Sequence, residues 1–165
     1  MLKKHSKILN LAQERWEKAV NAEHDNRERM ADDLRFANLD QWPEEVKQER
    51  ANKPMLTLDH TGQHVRQVLG DIRQNKPAIK VRPVDDDSDK ETAEIYEGLI
   101  RHIESNSKAQ NAYVTAAEGA VKAGYGVFRI VTEYACDDAF EQDIKIKRVR
   151  NPYSVYLDPS ATELC

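Results

Sequence analysis

Apolar positions along this chain recur at helical spacing through most of its length and change to β spacing only near its C-terminal end. Over residues 4–38, Ile8, Leu11, Ala12, Trp16, Ala19 and Val20 form one apolar stripe, and Met30, Leu34 and Ala37 form a second. Between them, residues 21–29 (NAEHDNRER) are polar all round, which predicts a helix that leaves the core there, bridges through solvent, or kinks. The expectation is a long N-terminal helix or a broken pair, peripheral to the core. Gln41-Trp42-Pro43 ends it, because proline disfavours helical geometry in the residue before it. Glu44 and Glu45 then suit the positive end of a new, short helix ending near Asn52.

Residues 54–58 (PMLTL) read as a short extended piece, after which Asp59 can cap a helix whose apolar face is Val65, Val68, Leu69 and Ile72. Asn75 and Pro77 end that helix. Residues 78–84 alternate like a strand, with Pro83 confining it to a sheet edge or to the strand's own end. Residues 85–89 (DDDSD) form a turn, and Ser88 with Glu91 matches the S-x-x-E capping box that opens a helix to about Asn106. Its apolar side is Ala93, Tyr96, Leu99, Ile100 and Ile103. Ser107 with Gln110 is a second box, predicting a tight helical hairpin.

The rest of the chain is organised around residues 108–134. Ala109, Tyr113, Ala116, Ala117, Ala120 and Val121 line one helical face, mostly alanine, suited to lying close against another backbone. Gly124 supplies the residue of positive φ that commonly closes a helix. Residues 125–134 are β-branched and aromatic, with Val127, Phe128, Ile130 and Val131 apolar on both faces, and are read as the most buried segment. A polar loop follows over 135–141. Residues 142–150 then alternate, Ile144 and Ile146 on one face and Lys145 and Lys147 on the other, as a half-buried antiparallel partner does. Asn151-Pro152 breaks it, residues 153–157 can add a short strand, and Asp158-Pro159 turns. The fold class is α+β, with a long N-terminal helix and a helical hairpin packed on a small, mostly antiparallel sheet. The organisation is a helical arm over 1–42 and an α+β core over 43–165.

Composition changes this picture little. The 165 residues are 39% hydrophobic and one third charged, enough for one domain with a core. A net charge of −4 argues against a dedicated nucleic-acid binder, which concentrates Lys and Arg. No apolar run approaches the roughly 18 residues that span a bilayer, and the N-terminal lysines are followed by no apolar run of signal-peptide type. Cys136 and Cys165 stand far apart without a CxxC partner, which fits a reducing compartment.

Four clusters could carry chemistry, and each has a plainer explanation. Asp85, Asp87 and Asp89 alternate as in a calcium loop, but Lys90 and Tyr96 occupy the positions that need Gly and Glu, leaving a solvated turn and a helix cap. His60 and His64 have the spacing of a metal pair, with no glutamate between them and no third ligand. Gly124-Tyr125-Gly126 follows a helix instead of preceding one, so it presents helix carbonyls where a phosphate loop presents amides. Asp143-Ile144-Lys145 with Glu133 matches half of a metal-dependent nuclease site, or the ordinary solvated face of a hairpin.

Read in order, several stretches resemble the N-terminal part of portal (head-to-tail connector) proteins of short-tailed bacteriophages. Asp33-Leu34-Arg35-Phe36 leading to Gln41-Trp42 is similar to their early helix and its exit. Val65-Arg66, Ile72-Arg73-Gln74-Asn75, Pro77 and Val81-Arg82-Pro83 resemble their next helix and strand. Ala123-Gly124-Tyr125-Gly126 followed by residues 129–134 is similar to their helix-to-strand passage, and Asn151-Pro152 and Asp158-Pro159 to the segment after it. The resemblance spans residues 29–159. It implies a structural protein without catalytic residues or cofactor, a dodecameric ring at one capsid vertex through which DNA is packaged and ejected. Its implied partners are other copies of itself, the capsid, the packaging motor (terminase), the tail and the DNA in the channel, without sequence-specific binding and without a membrane. It implies a place in the virion, and in the host cytoplasm during assembly.

Members of that family run to several hundred residues, so this chain corresponds to the outer wing. The expectation is a folded wing fragment, monomeric or irregularly self-associating, whose hairpin edge recruits a strand from another chain. The alternatives are a generic α+β interaction module docking through its N-terminal helix and, from the enzyme class, the metal nuclease.

Overall fold

The computed structural model describes residues 2–83 and 89–161, with side chains from residue 6 onward. It contains five helices, α1 (Leu2–Ala37), α2 (Glu44–Glu49), α3 (Thr61–Gln74), α4 (Lys90–Ser107) and α5 (Ala109–Ala123), and two strands, β1 (Phe128–Tyr134) and β2 (Gln142–Arg148). The chain is therefore α+β, as its periodicity predicts. It divides into two compact units: Met1–Thr57 with Asn151–Cys165, and Leu58–Arg150.

In the first unit α1 runs unbroken through the polar stretch. Pairs such as Glu14–Lys18 at four-residue spacing support its exposed surface, and the hydrogen bond from Lys18 holds the Glu14 carboxyl below its ordinary range. One stripe continues through the polar stretch: Ala19 is buried, Glu23 and Arg27 are half-buried, and Met30 is 2% exposed. Leu39, at φ 71°, turns the chain out of α1. Lys47 on α2 bonds back to Asp40 at 2.6 Å. That bond lowers the Asp40 carboxyl and raises the Lys47 ammonium, to which Glu44 adds. The Trp42 indole donates to Thr57 Oγ1 at 3.1 Å. Residues 153–157 do not add a strand. Asn151 Oδ1 accepts from the Tyr153 amide and opens a single 3-10 turn, Pro152–Ser154, after which the chain is extended without a ladder partner.

In the second unit α3, α4 and α5 pack with the hairpin of β1 and β2. The strands are antiparallel, with Ile130 opposite Ile146 and Thr132 opposite Ile144. Ala109 and Ala112 of α5 meet Ile146 in the core, and Ile103 and Tyr113 pack against them. Buried Val65 and Leu69 form the inner face of α3, and Val68 of the same predicted face is exposed. Helix α5 is buried at Ala109, Ala112, Val114 and Ala123, whereas Ala120 and Val121 of the predicted stripe are exposed. Because α5 meets α3 as well as α4 and the sheet, its burial runs round the helix.

Four expectations are corrected here. Residues 78–83 are irregular, since neither strand pairs with them. Asp89 caps α4, its Oδ1 accepting from the Glu91 amide at 2.9 Å and its Oδ2 from Thr92 Oγ1; Ser88 lies outside the described residues. The Ser107–Gln110 box does not form. Ser107 is still helical, Lys108 at φ 51° is the cap shared by both helices, and Ser107 Oγ and Gln110 Nε2 are buried without a partner. Finally β1, read as the most buried segment, is largely exposed: α4 and α5 lie over β2, and Ile130 is 65% exposed. Tyr96 and Leu99 of α4 also face solvent for this reason, while Ala93 and Ile103 hold its inner side.

Candidate functional site

Where they fall on described residues, the chemistry-bearing clusters read from the sequence do not converge. Among the described residues no three His, Cys, Asp or Glu side chains come together as a metal group. His60 precedes α3 and His64 lies in its first turn, both exposed. The cap hydrogen bond there comes from Asp59, whose Oδ1 accepts from the Gly62 amide at 2.7 Å. Asp85 and Asp87 lie outside the described residues, and Asp89 is spent on its cap.

Glu133 and Asp143 are cross-strand neighbours, as the nuclease reading requires. Each, however, is taken by a lysine of the same face: Lys147 bonds Glu133, and Lys145 bonds Asp143 at 3.0 Å. Such partly exposed pairs stabilise a hairpin modestly, and they leave the two carboxylates facing lysines in place of a common point. Gly124, at φ 88°, ends α5 with its amide on the Ala120 carbonyl. Gly126 passes so close to Ala116 that a Cβ there would stand 1.8 Å from the Ala116 carbonyl oxygen. This pair of glycines is a packing device.

Two structural features escaped the sequence reading. The first is a clasp in the unit Met1–Thr57 with Asn151–Cys165. Arg27 donates to the Tyr153 carbonyl at 2.9 Å and to the Val155 carbonyl at 2.5 Å, and its guanidinium lies 3.6 Å from the centre of the Tyr156 ring. Glu23 holds Arg27 Nε at 3.1 Å and accepts from the Leu157 amide at 2.8 Å. The Trp16 ring lies 4.2 Å from that of Tyr156. A signal was available: Trp16, Ala19, Glu23, Arg27 and Met30 keep helical spacing, so the two polar members occupy core-facing positions. The second feature is the outward apolar surface of the unit Leu58–Arg150. Ile95, Leu99, Ile130, Ile144 and Tyr134 are exposed, and Phe140 is 97% exposed.

Tyr113 ties three elements of that unit together. Its hydroxyl donates to Glu104 on α4 at 2.8 Å, and its ring meets Phe128 on β1 edge-on at 5.1 Å. Burial, followed by the Glu104 carboxylate, pushes the phenol from its ordinary 10 up to about 12. The fold thus favours the protonated phenol, a contribution complete below the unfolded value near 10 and lost as pH rises toward 12. Alkaline unfolding followed by circular dichroism should show a falling midpoint between those values, and Tyr113→Phe should flatten the fall. An unchanged alkaline profile in Tyr113→Phe would contradict the assignment.

The unit Leu58–Arg150 is thus a small α+β body with exposed apolar residues, and the other unit is a clasped helical arm. Residues 13–164 match the family model described as phage P22-like portal protein, and the chain belongs to that family. Its role is accordingly a structural one in the phage portal. The family forms an oligomeric ring associated with the capsid, at its vertex. No helix among the described residues is long and apolar enough to cross a membrane.

Proposed function

We propose that this chain forms the N-terminal wing of a portal ring through which DNA enters the capsid during packaging and leaves it on ejection. The family match over residues 13–164 carries this reading, and the outward apolar faces support it, since they suit a body that neighbours will cover. In this role the chain performs no catalysis; the terminase motor supplies the work, and the wing supplies shape and attachment. Its partners are other copies of itself, the capsid, the motor and the tail, and it assembles in the host cytoplasm before residing in the virion.

The test is genetic. Removing residues 90–150 in frame from the phage gene should leave capsid shells that form and sediment as DNA-free particles. DNA-filled heads from that mutant would overturn the proposal. The purified chain should also leave duplex DNA intact with Mg²⁺. Cleavage that disappears in Asp143→Ala would favour the nuclease reading instead.

A further inference from the structure

Two separate apolar surfaces of the unit Leu58–Arg150 face solvent. The first is the outer stripe of α4, where Glu91, Ile95, Leu99 and His102 recur at helical spacing, opposite buried Ala93. Ile95 is 67% exposed. Gly98 lies on this outer stripe, and a Cβ added there would meet nothing within 4 Å. A mid-helix glycine weakens a helix, and no neighbour among the described residues requires this one. The close approach of another backbone would.

The second surface is the β1 side of the sheet face shared with Ile146. There Ile130 and Tyr134 on β1 and Ile144 on β2 are exposed, while the helices cover Ile146. Phe140, beside Tyr134 in the following loop, extends it.

The charges at the ends of these surfaces are complementary. The α4 stripe starts on acid, with Glu91 and the nearby Glu94, and finishes toward Arg101, which is paired with Glu97 of the same helix. The sheet face starts on base, with Arg148 opposite Phe128, and finishes at Asp137 and Asp138. Their lengths agree. Glu91 to His102 spans about 16 Å of helix, and Phe128 to Tyr134 about 20 Å of strand.

We propose that α4 of one copy lies along the β1 face of the next, with Glu91 toward Arg148, and that this contact joins neighbours around the ring. The inference rests on the portal reading and deepens it by naming the surfaces. Because the two surfaces differ, the contact is head-to-tail and repeats around an axis, where a self-complementary patch would stop at a dimer.

Charge reversal tests it on the full chain, by sedimentation velocity over a range of concentrations, with circular dichroism confirming the fold. Glu91→Arg alone and Arg148→Glu alone should each weaken self-association about tenfold or more. An equimolar mixture of the two should recover it, since each variant's altered surface then meets the other's. Three results would overturn the proposal: association untouched by either reversal, loss that mixing does not repair, or a wild-type chain monomeric at every concentration. Pairing along the bare strand edge would give the first of these. A portal that assembles through other surfaces would fail here and still yield DNA-free shells in the deletion test, so the two readings fail separately.

Discussion

Gly126→Ala is expected to destabilise the protein by about 3 kcal/mol or more, at or beyond the top of the usual range for overpacking. The new Cβ would stand 1.8 Å from the Ala116 carbonyl oxygen, 2.6 Å from its carbon and 2.9 Å from its Cα. All three atoms are backbone of α5, so no side chain can swing aside. Gly119 lies at the same approach, where a Cβ would be 3.2 Å from Gly126 Cα and from the Tyr125 carbonyl. The helix and the segment leaving it are therefore pressed together over about one turn. For a unit of this size the loss corresponds to a thermal midpoint lower by roughly 10–20 °C.

Gly98→Ala is the matched control. With open space around it, the same substitution should raise stability by about 0.5–1 kcal/mol, the ordinary gain of alanine over glycine in a helix. Thermal unfolding of both variants at low protein concentration measures the pair. A Gly126→Ala protein melting within a few degrees of wild type would mean that the close approach does not exist.

Arg27→Ala carries the second large effect, roughly 2–4 kcal/mol, from the loss of two charge-assisted bonds to carbonyls and a stacked ring. The loss should be local. Hydrogen exchange at the Leu157 amide, which donates to Glu23, should accelerate strongly, while the amides of β1 and β2 keep their protection. Arg27→Lys should not restore the clasp, because one ammonium cannot reproduce a planar fork that meets two carbonyls and lies on the Tyr156 ring. Unchanged exchange at Leu157 in Arg27→Ala would show that the contact carries no weight.

What the sequence revealed and what it hid divide along physical lines. Pro43, Asn75 and Gly124 act through their own backbone preferences, and the boundaries they predict fall where the elements end or begin. The Ile144 and Ile146 alternation likewise placed β2 and its partner. The Ser107–Gln110 box failed because a capping box is legible only if the helix start is known, and one left-handed lysine moved that start by a residue. Residues 78–83 have strand-like composition, but a strand needs a ladder partner, and none is supplied among the described residues. The burial of β1 was misjudged because apolar content says what a segment could bury, not whether anything lies over it. The Arg27 clasp joins residues 126 and 128 positions apart, and a local window cannot find that.

The candidate site follows the same division. The metal and nuclease clusters were legible as motifs, but not the pairing of the nuclease one, whose Asp143 and Glu133 are bonded by Lys145 and Lys147. The outward faces of α4 and β1 were invisible as such, since the same apolar residues would have read as core. The family, in contrast, was legible from short stretches in order, and the match over residues 13–164 agrees with it.

The clasp also fixes an order of events during synthesis. Helix α1 leaves the ribosome well before the carbonyls that Arg27 holds, which appear only after the whole of Leu58–Arg150 has been translated. The intervening segment can collapse on itself while the early helix waits in water, its Trp16 ring still without Tyr156. Helix α1 is thus locked only by a segment translated well after it, and the clasp closes once residues 153–157 have appeared.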